Sequence, residues 1–124
     1  MTAPIVFVSR NRVKAGRLDE FRKHYQASIA STQAGKPGTL AQMAYENEDA
    51  TQVIVVRFFP SADALDQQLQ GADERSKRAY EYIEPLAIEI YGRPNPATLE
   101  KMLEIAGSGI TVLVHPRYIG GFIR

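Results

Sequence analysis

Residues 39–59 read TLAQMAYENEDATQVIVVRFF, and the division of this stretch decides the fold. Both ends carry the β-branched and aromatic residues that suit a pleated surface, and a short polar run around Glu48-Asp49-Ala50 separates them. The pattern predicts strands over 39–47 and 52–59 joined as a hairpin. In the second strand Val53, Ile54, Val55 and Val56 are apolar in succession. Side chains alternate between the two faces of a sheet, so both faces must be covered.

Upstream, residues 4–13, PIVFVSRNRV, predict another strand, apolar on both faces from Ile5 to Val8. After Gly16, Leu18, Phe21, Tyr25 and Ile29 fall at helical spacing, and Gly35 with Pro37-Gly38 stops the helix. Downstream, Pro60 ends the hairpin and Ser61 is a candidate N-cap. Leu65, Leu69, Ala72, Ala79, Tyr80 and Ile83 form one interrupted helical stripe, with a kink or break expected at Gly71 and closure at Glu84-Pro85. Residues 86–91, LAIEIY, complete the series as a strand.

The order strand, helix, strand, strand, helix, strand is the ferredoxin-like α+β plan, βαββαβ. Two helices cover one face of such a sheet, and in a chain this short the expected cover for the other is a second copy. Homodimerisation is therefore expected. Past Gly92, Asn95 and Pro96 read as N-cap and first helical residue, Leu99, Met102, Leu103 and Ala106 as an apolar stripe, and Gly107 as a stop. The final stretch, ITVLVHPRYIGGFIR (110–124), reads as a fifth strand. It is expected at a sheet edge or across a dimer seam, with Phe122 and Ile123 buried against the partner or over a pocket mouth. The expected division is a domain over 1–93 and a helix–strand extension over 94–124.

Composition narrows the function classes. The 124 residues are 44% hydrophobic and 23% charged with net charge +1, so no global field draws nucleic acid or an anionic membrane. No apolar run is long enough to span a bilayer. The start, MTAPIVFVSRNR, lacks the basic-then-apolar order of a signal peptide, and a cytoplasmic location is the expectation. Cys is absent, which removes disulfides, thiolate nucleophiles and cysteine metal ligands. With two His and no supporting spacing, no metal site is expected. The cluster Arg10, Arg12, Lys14 and Arg17 reads as a solvated rim without the interleaved aromatics of an RNA-binding sheet.

Three stretches resemble the antibiotic-biosynthesis-monooxygenase-like proteins of the dimeric α/β-barrel group. These are VKAGRLDEF at the entry to the first helix, PGTLAQMAYENEDATQVIVVRFF around the hairpin, and PSADALDQQL at the start of the second helix. The likeness covers roughly 4–91. It implies a dimer whose sheets face each other as a barrel, with a pocket in each subunit between sheet and helices. Enzymes of the group include cofactor-free oxygenases of aromatic polyketides, quinol oxygenases and haem-degrading proteins. The chain departs from the group's pattern at three places. Phe59 stands where Trp is frequent, Gln68 where His is frequent, and Ser9 where haem-degrading members use Asn. Without that imidazole the usual axial ligand to haem iron is missing, and haem degradation is not expected.

The candidate ligand-binding residues are Phe7, Ser9, Asn11, Arg57, Phe59, Gln68 and Tyr80. Phe7, Phe59 and Tyr80 would wall an aromatic pocket, Tyr80 from a helix stripe facing the sheet. Ser9, Asn11, Arg57 and Gln68 would supply polar anchors. Plainer readings stand beside these: Asn11 as a strand end meeting solvent, Arg57 in a cross-strand ion pair with Glu46, the tyrosines as packing residues, and His24 as a surface or half-buried helix residue. No catalytic residue is singled out and no cofactor is expected. Two functional readings remain: a cofactor-independent monooxygenase-like protein acting on or binding a small aromatic polyketide or quinol, and a non-catalytic dimeric module that binds a ligand or a protein.

Overall fold

A computed structural model describes residues 3–124, the side chains of Ala72, Asp73 and Ala106 excepted. The chain runs β1 (Ile5–Val13), α1 (Leu18–Gly35), β2 (Ala41–Glu46), β3 (Gln52–Phe59), α2 (Ala62–Leu69), α3 (Ala72–Ala79), β4 (Ile83–Tyr91), α4 (Pro96–Ala106) and β5 (Thr111–His115). The strands form one sheet in the order β2-β3-β1-β4-β5. The first four are antiparallel, as the ferredoxin-like plan requires, and β5 adds a parallel edge beside β4. A parallel neighbour needs a crossover, and α4 supplies it.

Alternation sorts the residues by face. Ile5, Phe7, Ser9 and Asn11 of β1 lie opposite Phe59, Arg57, Val55 and Val53 of β3, all on the face under the helices. Under this face lie two buried clusters. One joins Ile5, Phe7, Phe59, Leu65, Ile88, Ile90 and Met102; the other joins Phe21, Val53, Val55 and Ile83. The opposite face carries Val8, Ile54, Val56, Met43, Tyr45 and Leu113, of which the last three are exposed in the single subunit.

The turns between elements follow local chemistry. Ser61 Oγ accepts from the Ala64 amide at 3.2 Å and caps α2. At the β4–α4 junction Gly92 takes φ +109°, where an added Cβ would meet the Pro4 carbonyl at 2.8 Å. Asn95 occupies the N-cap position of α4, but its side chain does not cap. It donates instead to Asp66 at 2.7 Å, tying α4 to α2, and Thr98 joins the same carboxylate.

Two expectations are corrected. The stripe from Leu65 to Ile83 is two helices, broken at Gly71 with φ +78°, and Ile83 begins β4 rather than ending a helix. Glu84 and Pro85 lie inside that strand. Pro85 is tolerated because the register slips there by one residue, Arg10 facing Ala87 and Asn11 facing Pro85, so Leu86 bulges out. On its other side β4 has no neighbour until Ala87, where β5 begins. The tail strand is also shorter than read. It ends at His115, and Thr111, Leu113 and His115 on its outer face are exposed within the single chain. Beyond Pro116 the chain forms no regular structure, and within the subunit Phe122 is 79% exposed and Ile123 55%.

Candidate functional site

Between the sheet and the helices lies a cavity of about 440 Å³, within the usual size range for small-molecule sites. The strands supply its floor: Phe7, Ser9 and Asn11 from β1, Val55 and Arg57 from β3, Gln42 from β2. Tyr25 and His24 reach it from α1, Gln68 and Leu69 from α2, Arg75 from α3, Tyr80 from the turn after α3, and Met102 from α4.

Six of the seven candidate residues, Phe7, Ser9, Asn11, Arg57, Gln68 and Tyr80, thus line this one cavity. Phe59 does not. It is 0% exposed in the closed cluster with Ile5 and Leu65, two residues beyond Arg57 on the same face, and is a core residue. Tyr80 lies at the C-cap of α3, not on a helix stripe.

The polar residues are held in place individually. Asn11 is 4% exposed, which overturns the solvent-facing reading. Its Nδ2 donates to Ser9 Oγ and to the Val53 carbonyl, each at 3.3 Å. Gln68 is buried, and its Oε1 accepts from the Thr39 hydroxyl at 2.5 Å. Arg57 is not paired with Glu46. The hairpin register puts it opposite Gln42, and its Nε–H donates to Gln42 Oε1 at 2.7 Å. Glu46 pairs with Arg22 at 2.6 Å on the exterior, and that guanidinium holds its carboxyl below the ordinary range.

Burial pushes the Arg57 guanidinium down to about 10, still cationic at neutral pH. The Phe7 ring lies 6.0 Å from Arg57 Cζ. Burial raises the Tyr80 phenol, with Arg57 opposing the shift. Arg75 is lowered by burial, and its two Nη groups donate to the carbonyls of Gln70 and Gln68 at the end of α2. Tyr25 Oη is buried without a hydrogen-bond partner among the described residues.

Three features of the wall were missed. Tyr25 was legible as part of the α1 stripe, though not its unpartnered hydroxyl. Gln42 follows from the hairpin register. Arg75, on a charged helix, had no sequence signal.

Among the described residues no cluster of three His, Asp or Glu stands ready for a metal. The wall offers hydroxyls, amides and a guanidinium, groups that bind and polarise an oxygenated ligand. Each basic residue of the Arg10–Arg17 rim has a partner: Arg10 pairs with Glu89, Arg12 with Glu84, Arg17 with Glu20, and Lys14 Nζ donates to the Tyr80 carbonyl at 2.6 Å, although Arg17 Nε itself is buried without a hydrogen-bond partner among the described residues.

Fold and site together define a ferredoxin-like α+β subunit with a ligand-sized cavity between sheet and helices. The sequence profile of the antibiotic biosynthesis monooxygenases matches residues 4–76, more than half of the chain, and the chain belongs to that family. No curated protein matches it by sequence. Among solved structures, MupZ from Pseudomonas fluorescens is similar over 97% of this chain and 96% of its own, with TM-score 0.71 and 16% identity. SnoaB from Streptomyces nogalater, a cofactor-independent oxygenase, is similar over 76% of this chain and 96% of its own, with TM-score 0.62 and 16% identity. Rv0793 from Mycobacterium tuberculosis is similar over 77% of this chain and 99% of its own, with TM-score 0.64 and 19% identity. At these identities the likeness is one of fold. Among the described residues no helix is long and apolar enough to cross a membrane.

Proposed function

We propose that this protein is a cofactor-independent monooxygenase-like protein that takes a small aromatic polyketide or quinol into the cavity. The observation that supports this reading best is the pairing of an apolar wall (Phe7, Val55, Met102) with polar anchors held in place beside it (Asn11, Arg57, Gln68). In such chemistry the ionised substrate reacts with dioxygen, one oxygen atom entering the substrate and the other leaving as water. The protein's part is to orient the ring, stabilise the oxyanion and exclude water. Arg57 is suited to the second task, and Phe7, Gln68 and Tyr80 to the first. We assign no cofactor, and we place the protein in the cytoplasm, where a chain without cysteine needs no oxidising compartment.

The working unit in this proposal is a homodimer. The outer sheet face supports it: Val56 lies between Met43 and Val8, with Ile54 and Tyr45 alongside, an apolar surface of the kind that marks an interface. Val56→Lys is expected to convert dimers to monomers by size-exclusion chromatography with light scattering.

The activity is tested with an oxygen electrode and a panel of hydroquinones and polycyclic phenols, with thermal shift on the same compounds. Oxygen uptake proportional to enzyme is expected for those that raise the melting temperature. Stabilisation by ligands without uptake would favour the second reading, a dimeric module that only binds. That reading draws support from the amide at Gln68, engaged by Thr39.

A further inference from the structure

The charge balance of the cavity says more about its ligand than the family does. Arg57, Arg75 and Arg78 contribute to its wall, and no Asp or Glu among the described residues does. Arg57 has no carboxylate partner among the described residues. A half-buried guanidinium without a counter-charge has lost part of its hydration, and a ligand that neutralises it recovers that cost on binding.

The donors left over have a definite shape. Gln42 engages Nε, which leaves the outer edge of the fork, the two Nη groups. Two parallel N–H donors on one edge match the two oxygens of a carboxylate, whereas a phenolate or enolate presents one oxygen to them. A further donor stands in the same wall: the Tyr25 hydroxyl, buried and without a partner among the described residues. A carboxylate bound by both Nη groups keeps lone pairs for it. Arg75 adds positive potential, but its own fork is engaged by the carbonyls of Gln68 and Gln70. Arg78 also lines the wall, as an exposed side chain with no carboxylate partner among the described residues, and adds to the positive potential. The Phe7 ring beside the guanidinium then meets an aromatic ring bonded directly to that head group.

We propose that the cavity selects aromatic carboxylates, with the carboxylate held by the Nη edge of Arg57 and by the Tyr25 hydroxyl. The proposal rests on the reading of this cavity as a site for an aromatic ligand and specifies the head group of that ligand.

The test compares anthracene-2-carboxylic acid, its carboxamide and 2-anthrol, which share a ring system and differ in the head group, by anthracene fluorescence at pH 7.5. The wild-type protein is expected to bind the acid about 10- to 100-fold more tightly than the amide, the usual range for hydrogen bonds to a charged group. Arg57→Gln is expected to abolish that preference, and Tyr25→Phe to weaken the acid about tenfold while leaving the amide unchanged. Equal binding of acid and amide, a preference that survives Arg57→Gln, anthrol bound as tightly as the acid, or no binding of any of the three would each overturn the proposal. The wild-type comparison decides even if Arg57→Gln fails to fold. An acid preference without oxygen uptake would refute the oxygenase reading alone. Uptake with neutral quinols and no acid preference would refute the carboxylate alone.

Discussion

The helix-covered face of the sheet has a solid end and a hollow end, and the change falls within two residues on each central strand. On β3 Phe59 is sealed in the core while Arg57 stands at the cavity; on β1 Ile5 is sealed while Ser9 and Asn11 line it. α2 and α4 roof the solid end and all four helices border the cavity, and the side chains that point up from the strands differ as well. At the solid end apolar residues interdigitate with Leu65 and Ile90. At the hollow end polar groups bond sideways along the sheet, Asn11 to Ser9 and Arg57 to Gln42, and the Tyr25 hydroxyl and the Nη edge of Arg57 stay free among the described residues. A cavity inside a small domain is thus marked by polar residues at inward strand positions, beside a bulge that brings Pro85 to its wall.

Substitutions at the two ends should therefore behave differently. The largest effect is expected from Phe59→Ala, which empties a fully buried site and should cost about 3–5 kcal/mol in urea unfolding. A cost near zero would mean that this end is not solid. Next comes Gly92→Ala, also at the solid end, where the new Cβ would crowd the Pro4 carbonyl and Ile5 at a positive φ. About 1–3 kcal/mol is expected, seen as a lowered melting temperature. At the hollow end the sign should reverse. Arg57→Met replaces an uncompensated buried cation with an apolar chain and is expected to stabilise the ligand-free protein by about 1 kcal/mol, while removing the preference for the anthracene acid over its amide. A destabilised Arg57→Met protein would show that the guanidinium is structural. The smallest effect belongs to the tail. Ile119 is 102% exposed and Phe122 79%, so removing residues 118–124 should change the unfolding free energy of a dilute subunit by no more than about 0.5 kcal/mol. If dimer dissociation, followed by light scattering, shifts far more than that, the exposed apolar residues of the tail belong to assembly.

Much of this was legible in the chain. The alternating runs at 4–13 and 39–59, the helical spacing from Leu18 and the punctuation at Gly16, Pro60 and Gly107 define β1, α1, the hairpin, the start of α2 and the end of α4, because local periodicity and turn chemistry act over a few residues. Pro85 was misread because proline usually ends an element. Its place inside β4 depends on a bulge opposite Asn11 and on a neighbour strand that starts later, both long-range facts. Ser9, Asn11 and Arg57 were recognisable as polar residues within apolar runs, but which end of the sheet would be hollow was not, so Phe59 was grouped with them.

The sequence by itself determined the order of elements, the faces each strand presents and the polar residues available to a site, since these follow from spacing along one chain. Only the tertiary structure decided that Arg57 meets Gln42 and not Glu46, that Tyr25, its hydroxyl buried without a partner among the described residues, lines the same cavity, and that no acid from the described residues joins them. Those outcomes depend on strand register and on how α1 and α3 lie over the sheet. Both are set by the packing of residues far apart in the chain, where the charge left without a partner in the cavity is also decided.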